Sequence, residues 1–208
     1  MKYFVLIVSI CVFNTAFSQK KKKIFLDINE NKITAKEFYK AIDYSKNLEL
    51  SFQTDSTQTM VLVPREVSGV LPKSVFNTLK SNLTEQVINN ELIIIMYYPG
   101  KDRCNATKTE SKWNAFDNDY PKKLNKITAY KQFWVYKSYD NLDYYHPETV
   151  KWQEDKDHYV EKLFFKYHYN CFSLAIVDKN GNFTCYFGEF GKQVILRISK
   201  EMMKQNKI

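Results

Sequence analysis

Leu92-Ile93-Ile94-Ile95-Met96-Tyr97-Tyr98 is the stretch that most limits the folds open to this chain. Seven successive apolar or aromatic residues leave no polar face, so neither an amphipathic helix nor a half-exposed strand accommodates them. They predict a strand covered on both sides, as the inner strands of parallel sheets are. Pro99-Gly100 ends the run, and a polar loop leads to Cys104.

The remaining elements follow from this one. Tyr130 to Tyr136 predicts a second, aromatic strand, and Cys171 to Val177 a third. Lys179-Asn180-Gly181-Asn182 reads as a hairpin turn of the Asn-Gly type, with Phe183 to Phe187 returning from it. Helices are expected from about Thr109-Glu110 to just before Pro121, from Val150 to Phe165, and from Lys192 to Lys204. In the last, Val194, Ile195, Ile198 and Met202 are spaced to face a sheet. Earlier in the chain, Ile24 to Ile28 reads as a strand. Thr34 and Glu37 match a capping box that opens a helix over Ala35 to Tyr44. Leu48 to Phe52 and Thr59 to Val63 read as a hairpin around Thr54-Asp55-Ser56-Thr57, and Pro72 opens a helix carrying Val75, Phe76 and Leu79.

The start of the chain predicts export. Met1-Lys2-Tyr3 precedes the apolar run Phe4 to Phe13, and Ala16-Phe17-Ser18 supplies a small-x-small cleavage end before Gln19. The run is too short to span a bilayer, which takes about 20 apolar residues, and no later segment is longer. A mature chain in the periplasm or outside the cell is the expectation. The formal charge of +8 owes part of its excess to Lys20-Lys21-Lys22-Lys23, expected to be a solvated, mobile start to the mature chain. An alternative role for this run is attraction to an anionic surface. The partner expected is a protein or a cell-envelope component. Nucleic acid is not, since export and the absence of a recognition motif both argue against it.

With Cys11 in the signal, Cys104, Cys171 and Cys185 remain, with no C-x-x-C among them. Cys185 lies mid-strand and reads as a small buried residue. His146, His158 and His168 show no ligand spacing, and neither a metal nor another cofactor is expected. Asp140, Asp143, Glu148, Glu154, Asp155 and Asp157 read as solvated surface carboxylates. Tyr144-Tyr145-His146-Pro147 reads as a loop anchor or, if exposed, a carbohydrate- or peptide-binding face.

The order strand, Cys-bearing loop, helix, strand, helix, hairpin, helix resembles the thioredoxin-like superfamily. Ile93 to Cys104 is similar to its first core strand and active-site loop. Leu174-Ala175-Ile176-Val177-Asp178-Lys179-Asn180-Gly181 is similar to its hairpin. The resemblance implies an α/β fold in which residues 91–208 form a thioredoxin-like domain and residues 19–90 an N-terminal α/β extension. The chain departs from the family in two ways. Only Cys104 stands in the active-site loop, and Tyr169-Asn170-Cys171-Phe172 occupies the place of the family's cis-proline. Because those two loops face each other in the family, the resemblance implies that Cys104 and Cys171 pair. The pair is then either a structural staple, which export favours, or a split redox couple. The first reading makes the protein a binding or accessory module, the second a thiol-disulfide oxidoreductase. A similarity to peroxiredoxins extends to Tyr97-Tyr98-Pro99, Thr107 and Glu110, but Lys101 stands where their Thr or Ser belongs.

Overall fold

The apolar run becomes the strand β6 (Leu92–Tyr98), and all seven of its residues are buried. The computed structural model describes residues 21–101, 119–142 and 150–205 and shows an α/β protein with two mixed sheets and five helices among them. By Cα proximity these residues divide into two units. One takes the residues up to Ile42 together with Glu49–Val63, and the other takes Asp43–Leu48 with everything from Pro64 on.

The smaller unit holds a four-stranded sheet ordered β2-β1-β4-β3, from β1 (Lys22–Leu26), β2 (Lys32–Ile33), β3 (Asn47–Gln53) and β4 (Thr57–Pro64). Its helix α1 (Ala35–Ala41) carries the expected capping box. Thr34 Oγ1 accepts from the Glu37 amide, and the Thr34 amide donates to the Glu37 carboxylate. Ile42 leaves the helical region, so α1 ends three residues short of Tyr44. Phe38 is its buried anchor, packed against Phe25. Lys22 and Lys23, expected in a mobile lead-in, instead begin β1 and pair in parallel with Thr57 and Gln58. Backbone ladder bonds hold them while their side chains stay in solvent.

The larger unit is a six-stranded sheet ordered β5-β10-β9-β6-β7-β8. Its members besides β6 are β5 (Glu66–Val70), β7 (Tyr130–Tyr136), β8 (Trp152–Glu154), β9 (Ser173–Asp178) and β10 (Asn182–Tyr186). β6, β7 and β8 run parallel, whereas β9 is antiparallel to β6 and β10 to β9. Alternation along β6 divides the core. Leu92, Ile94, Met96 and Tyr98 pack with α3 (Asp119–Asn125) and α5 (Lys192–Gln205) through Tyr120, Leu124, Ile195 and Ile198. Ile93, Ile95 and Tyr97 point to the opposite face. There Phe165 stacks on Tyr97, just past α4 (Tyr159–Phe164), and Tyr159 of that helix donates to the Val75 carbonyl of α2 (Lys73–Leu83).

Two sequence expectations are corrected here, and one strand is added. Pro121 sits inside α3 rather than beyond a helix end, and the stretch from Thr109-Glu110 to residue 118, where that helix was expected, lies outside the described residues. The helix expected from Val150 to Phe165 is only α4, because Trp152–Glu154 pair with Trp134–Tyr136 as β8 and two left-handed residues, Asp157 and His158, precede the helix. β5 is a strand where none was read. Residues 64–90, taken from the sequence as part of the N-terminal extension, supply β5 and α2 to the larger unit. No helix among the described residues is long and apolar enough to cross a membrane.

One five-residue turn is used twice. In Asp27-Ile28-Asn29-Glu30-Asn31 and Asp178-Lys179-Asn180-Gly181-Asn182, Oδ1 of the aspartate accepts from the amides of both asparagines. Oδ2 accepts from the second asparagine's side chain. The fourth residue is left-handed in both, at φ +63° for Glu30 and +87° for Gly181. Only glycine takes that conformation without a Cβ penalty. The second turn is therefore not the type with two positive φ values expected of Asn-Gly, since Gly181 alone carries one there. Glu30→Gly is expected to stabilise the protein by about 0.5–1 kcal/mol, strain relief outweighing the added unfolded-state entropy. Gly181→Ala is expected to destabilise it, since its Cβ would also lie 3.0 Å from the Leu71 carbonyl oxygen. Urea unfolding of the two variants measures both signs.

Candidate functional site

The parallel strands β6, β7 and β8 all end on one edge of the larger sheet, at Tyr98, Tyr136 and Glu154. β9 starts from that edge just after Cys171-Phe172, and β10 returns to it at Tyr186. In α/β sheets the carboxyl ends of the parallel strands are where loops gather binding and catalytic groups. Backbone strain gathers on the same edge. Of the eight positive-φ residues described, Gly100, Asn141, Asp157, His158, Cys171 and Gly188 lie in its loops, leaving only Glu30 and Gly181 in the two hairpin turns. Each non-glycine residue so placed costs about 1 kcal/mol or more, and such residues cluster at functional edges.

Cys171, at φ +69°, is the centre of this edge and is disulfide-bonded. Cys104 lies outside the described residues. Cys185 is a free thiol, 1% exposed on β10, and burial pushes its pKa far above the ordinary value. It is chemically quiet at neutral pH. The residues flanking Cys171 are pinned on opposite faces of the sheet. Tyr169 stacks on Phe187 with centroids 4.2 Å apart, while Phe172 lies against Tyr98 and Trp152 at 5.5 and 6.2 Å. Tyr98 in turn donates to the Asp140 carbonyl at 2.7 Å. The segment 169–172 reaches β9 without proline, and no cis peptide bond occurs among the described residues.

Polar groups line the rest of the edge. Lys137, just past β7, pairs with Glu161, whose other oxygen lies 3.3 Å from Nδ1 of His158. Asp155 corrects its reading as a solvated carboxylate. It is 5% exposed, and its two oxygens accept from the Val160 and Glu161 amides at 2.9 Å each, closing the amino end of α4. Desolvation raises its pKa, against the lowering pull of those two amides. Among the described residues no three His, Cys, Asp or Glu side chains are grouped to hold a metal ion. His146 and the Tyr144–Pro147 cluster lie outside them.

Tyr97 is the residue on this edge whose position the sequence hid. The residue is 1% exposed, its ring stacked 4.5 Å from Phe165, and its hydroxyl has no hydrogen-bond partner among the described residues. Burial, reinforced by Glu161 and then Asp155, pushes that hydroxyl's pKa far upward, so it stays protonated. A buried hydroxyl without a partner costs about 1–3 kcal/mol. Tyr97→Phe is therefore expected to raise stability by about 1–2 kcal/mol, read as a higher urea midpoint at unchanged slope. Nothing in the run Leu92–Tyr98 distinguishes Tyr97 from Tyr98. Strand register gives one a carbonyl partner and leaves the other with none.

No protein-family model, curated protein or solved structure matches the chain.

Proposed function

We propose that the chain is an exported, thioredoxin-like binding or accessory module in which a Cys104–Cys171 disulfide braces the partner-facing edge of the larger sheet. The observation that carries this reading is Cys171 itself, disulfide-bonded and left-handed in the segment that enters β9. Cys185 is free, so Cys104 is the one other cysteine of the mature chain that can complete the bridge. Strand order supports the fold assignment. The parallel β6–β7 pair, the antiparallel β9 beside β6 and the β9–β10 hairpin are compatible with the chain order of strand, strand and hairpin on which the resemblance rests.

Non-reducing peptide mapping of the mature protein, with free thiols alkylated beforehand, tests the pairing and the cleavage together. Expected are a Cys104–Cys171 cross-linked peptide, an alkylated Cys185 released on denaturation and an amino terminus at Gln19. An alkylated Cys104 would overturn the assignment. The bridge's reduction potential then separates a brace from a redox pair. A value below about −300 mV fits a structural bridge, and one near the range of dithiol oxidoreductases fits catalysis. The oxidoreductase reading keeps one observation in its favour. Cys171 is only half-buried and its backbone is strained, and exposed, strained bridges are the more readily reduced.

A further inference from the structure

At the other end of the larger sheet, where β6 begins, a cleft of about 250 Å³ opens between α2 and the β9–β10 turn. Its floor is apolar, formed by Phe76 and Ile93, with Ile88 on one wall. Phe76 is 7% exposed and Ile93 2%, so the floor is part of the core rather than a loose surface patch. The rim is polar and its only charged groups among the described residues are cations. Lys80, Lys179, Asn89 and Asn90 all contribute to it, and no carboxylate does.

The rim cations differ in their commitments. Lys179 Nζ is 2.9 Å from a Glu91 oxygen. Lys80 makes no ion pair among the described residues, and its ammonium rests 4.6 Å above the centroid of the Phe76 ring. That contact holds the charge at the mouth of the cleft and reduces the side-chain entropy a ligand would have to freeze. The carboxamides of Asn89 and Asn90 make no hydrogen bond among the described residues either. Two carboxamides and an ammonium therefore line one cleft with an apolar floor and have no hydrogen-bond or ion-pair partner among the described residues.

From this donor excess we propose that the cleft binds a small organic monoanion, with its carboxylate between Lys80 and the Asn89–Asn90 amides and its apolar body on Phe76 and Ile93. The volume lies just under the range of about 300–1,000 Å³ typical of sites for drug-sized ligands, so the ligand is a small one. The site is independent of the disulfide edge and of the function proposed for it.

Benzoate, benzamide and inorganic phosphate are the probes, titrated into ¹⁵N-labelled protein and followed by NMR. Benzoate is expected to give saturable shifts at the Asn89 and Asn90 side-chain amides, with a Kd of about 1 mM. Benzamide, its neutral isostere, should give none, and phosphate should bind more weakly for want of an apolar body. Lys80→Met should weaken benzoate binding about tenfold or more, Lys200→Met on α5 should leave it unchanged, and Glu91→Gln should strengthen it by freeing Lys179. Both lysines are on the surface, so a melting curve matching wild type shows that loss of binding is not loss of fold. Absence of saturable benzoate shifts, equal binding of benzamide, or a Lys80→Met variant that binds like wild type each overturns the proposal. Phosphate binding as tightly as benzoate would remove the apolar floor from it and leave the ligand class wrong.

Discussion

Reduction of the disulfide at Cys171 is expected to cost the folded protein about 3–4 kcal/mol, a substantial fraction of the roughly 5–15 kcal/mol by which domains are stable. With Cys104 as partner the bridge closes a long loop, and chain entropy then gives roughly 4 kcal/mol of stabilisation before native strain is subtracted. The strain is visible at Cys171, whose φ of +69° places a Cβ-bearing residue in the left-handed region at a cost of about 1 kcal/mol. Urea unfolding with and without dithiothreitol measures the difference. A midpoint shift of about 2 M at the usual slope is expected. Cys171→Ala should reproduce the reduced state, since alanine inherits the strain. Cys171→Gly should be about 0.5–1 kcal/mol more stable than Cys171→Ala, because only glycine is at ease at that φ. A loss below 1 kcal/mol on reduction would show that the bridge is not what holds this edge.

The fold was legible where hydrophobic content alone decides structure. Leu92–Tyr98 and Ser173–Asp178 are buried at every position, and the apolar runs Leu92–Tyr98 and Leu174–Val177 mark them as inner strands. Tyr130–Tyr136 was read to its bounds, and α5 to within a residue of its end. The two strands that went wrong are held by neighbours rather than by their own composition. β5 carries Gly69 and has Val67 and Val70 exposed, so its residues say little. It is a strand because β10 offers a ladder, and Gly69 leaves room for the cross-strand Phe183 ring, which lies 2.8 Å from where a Cβ would sit. β8 is three residues long, and Trp152 earns its place against Trp134 across the sheet, with ring centroids 5.2 Å apart.

The candidate site was legible only through Cys171, which the thioredoxin-like resemblance singled out. Lys137, Asp155, His158 and Glu161 come from segments more than 15 residues apart at the extremes, and they meet because parallel register brings the ends of β7 and β8 together. No local pattern encodes that meeting. Asp155 stood among six carboxylates with nothing to mark it as the one that caps α4. Its burial depends on the left-handed pair Asp157-His158, which turns the Val160 and Glu161 amides back onto it.

Phe165→Ala is the second large effect, expected at about 3–5 kcal/mol. Phe165 is 2% exposed and touches three rings. It is stacked on Tyr97 at 4.5 Å and edge-on both to Phe187 at 6.2 Å and to its neighbour Phe164 at 6.1 Å. Truncation removes the ring's transfer energy and leaves a cavity bounded by rigid neighbours that cannot collapse into it. Tyr97 decides what fills that space. Its partnerless hydroxyl gives a water a reason to enter, where an all-apolar cavity would stay dry. The two sites should therefore couple. In the wild-type background Tyr97→Phe is stabilising, because it deletes an unsatisfied group. With Phe165→Ala already made, the hydroxyl is hydrated, and the same change should gain nothing or cost up to about 1 kcal/mol. A double-mutant cycle from four urea curves reads the coupling directly. Additivity within about 0.5 kcal/mol would mean that the hydroxyl stays dry in the truncated protein. A coupling of about 1–2 kcal/mol in the stated direction would show that the Tyr97 hydroxyl lacks a hydrogen bond in the native core and gains one once Phe165 is truncated.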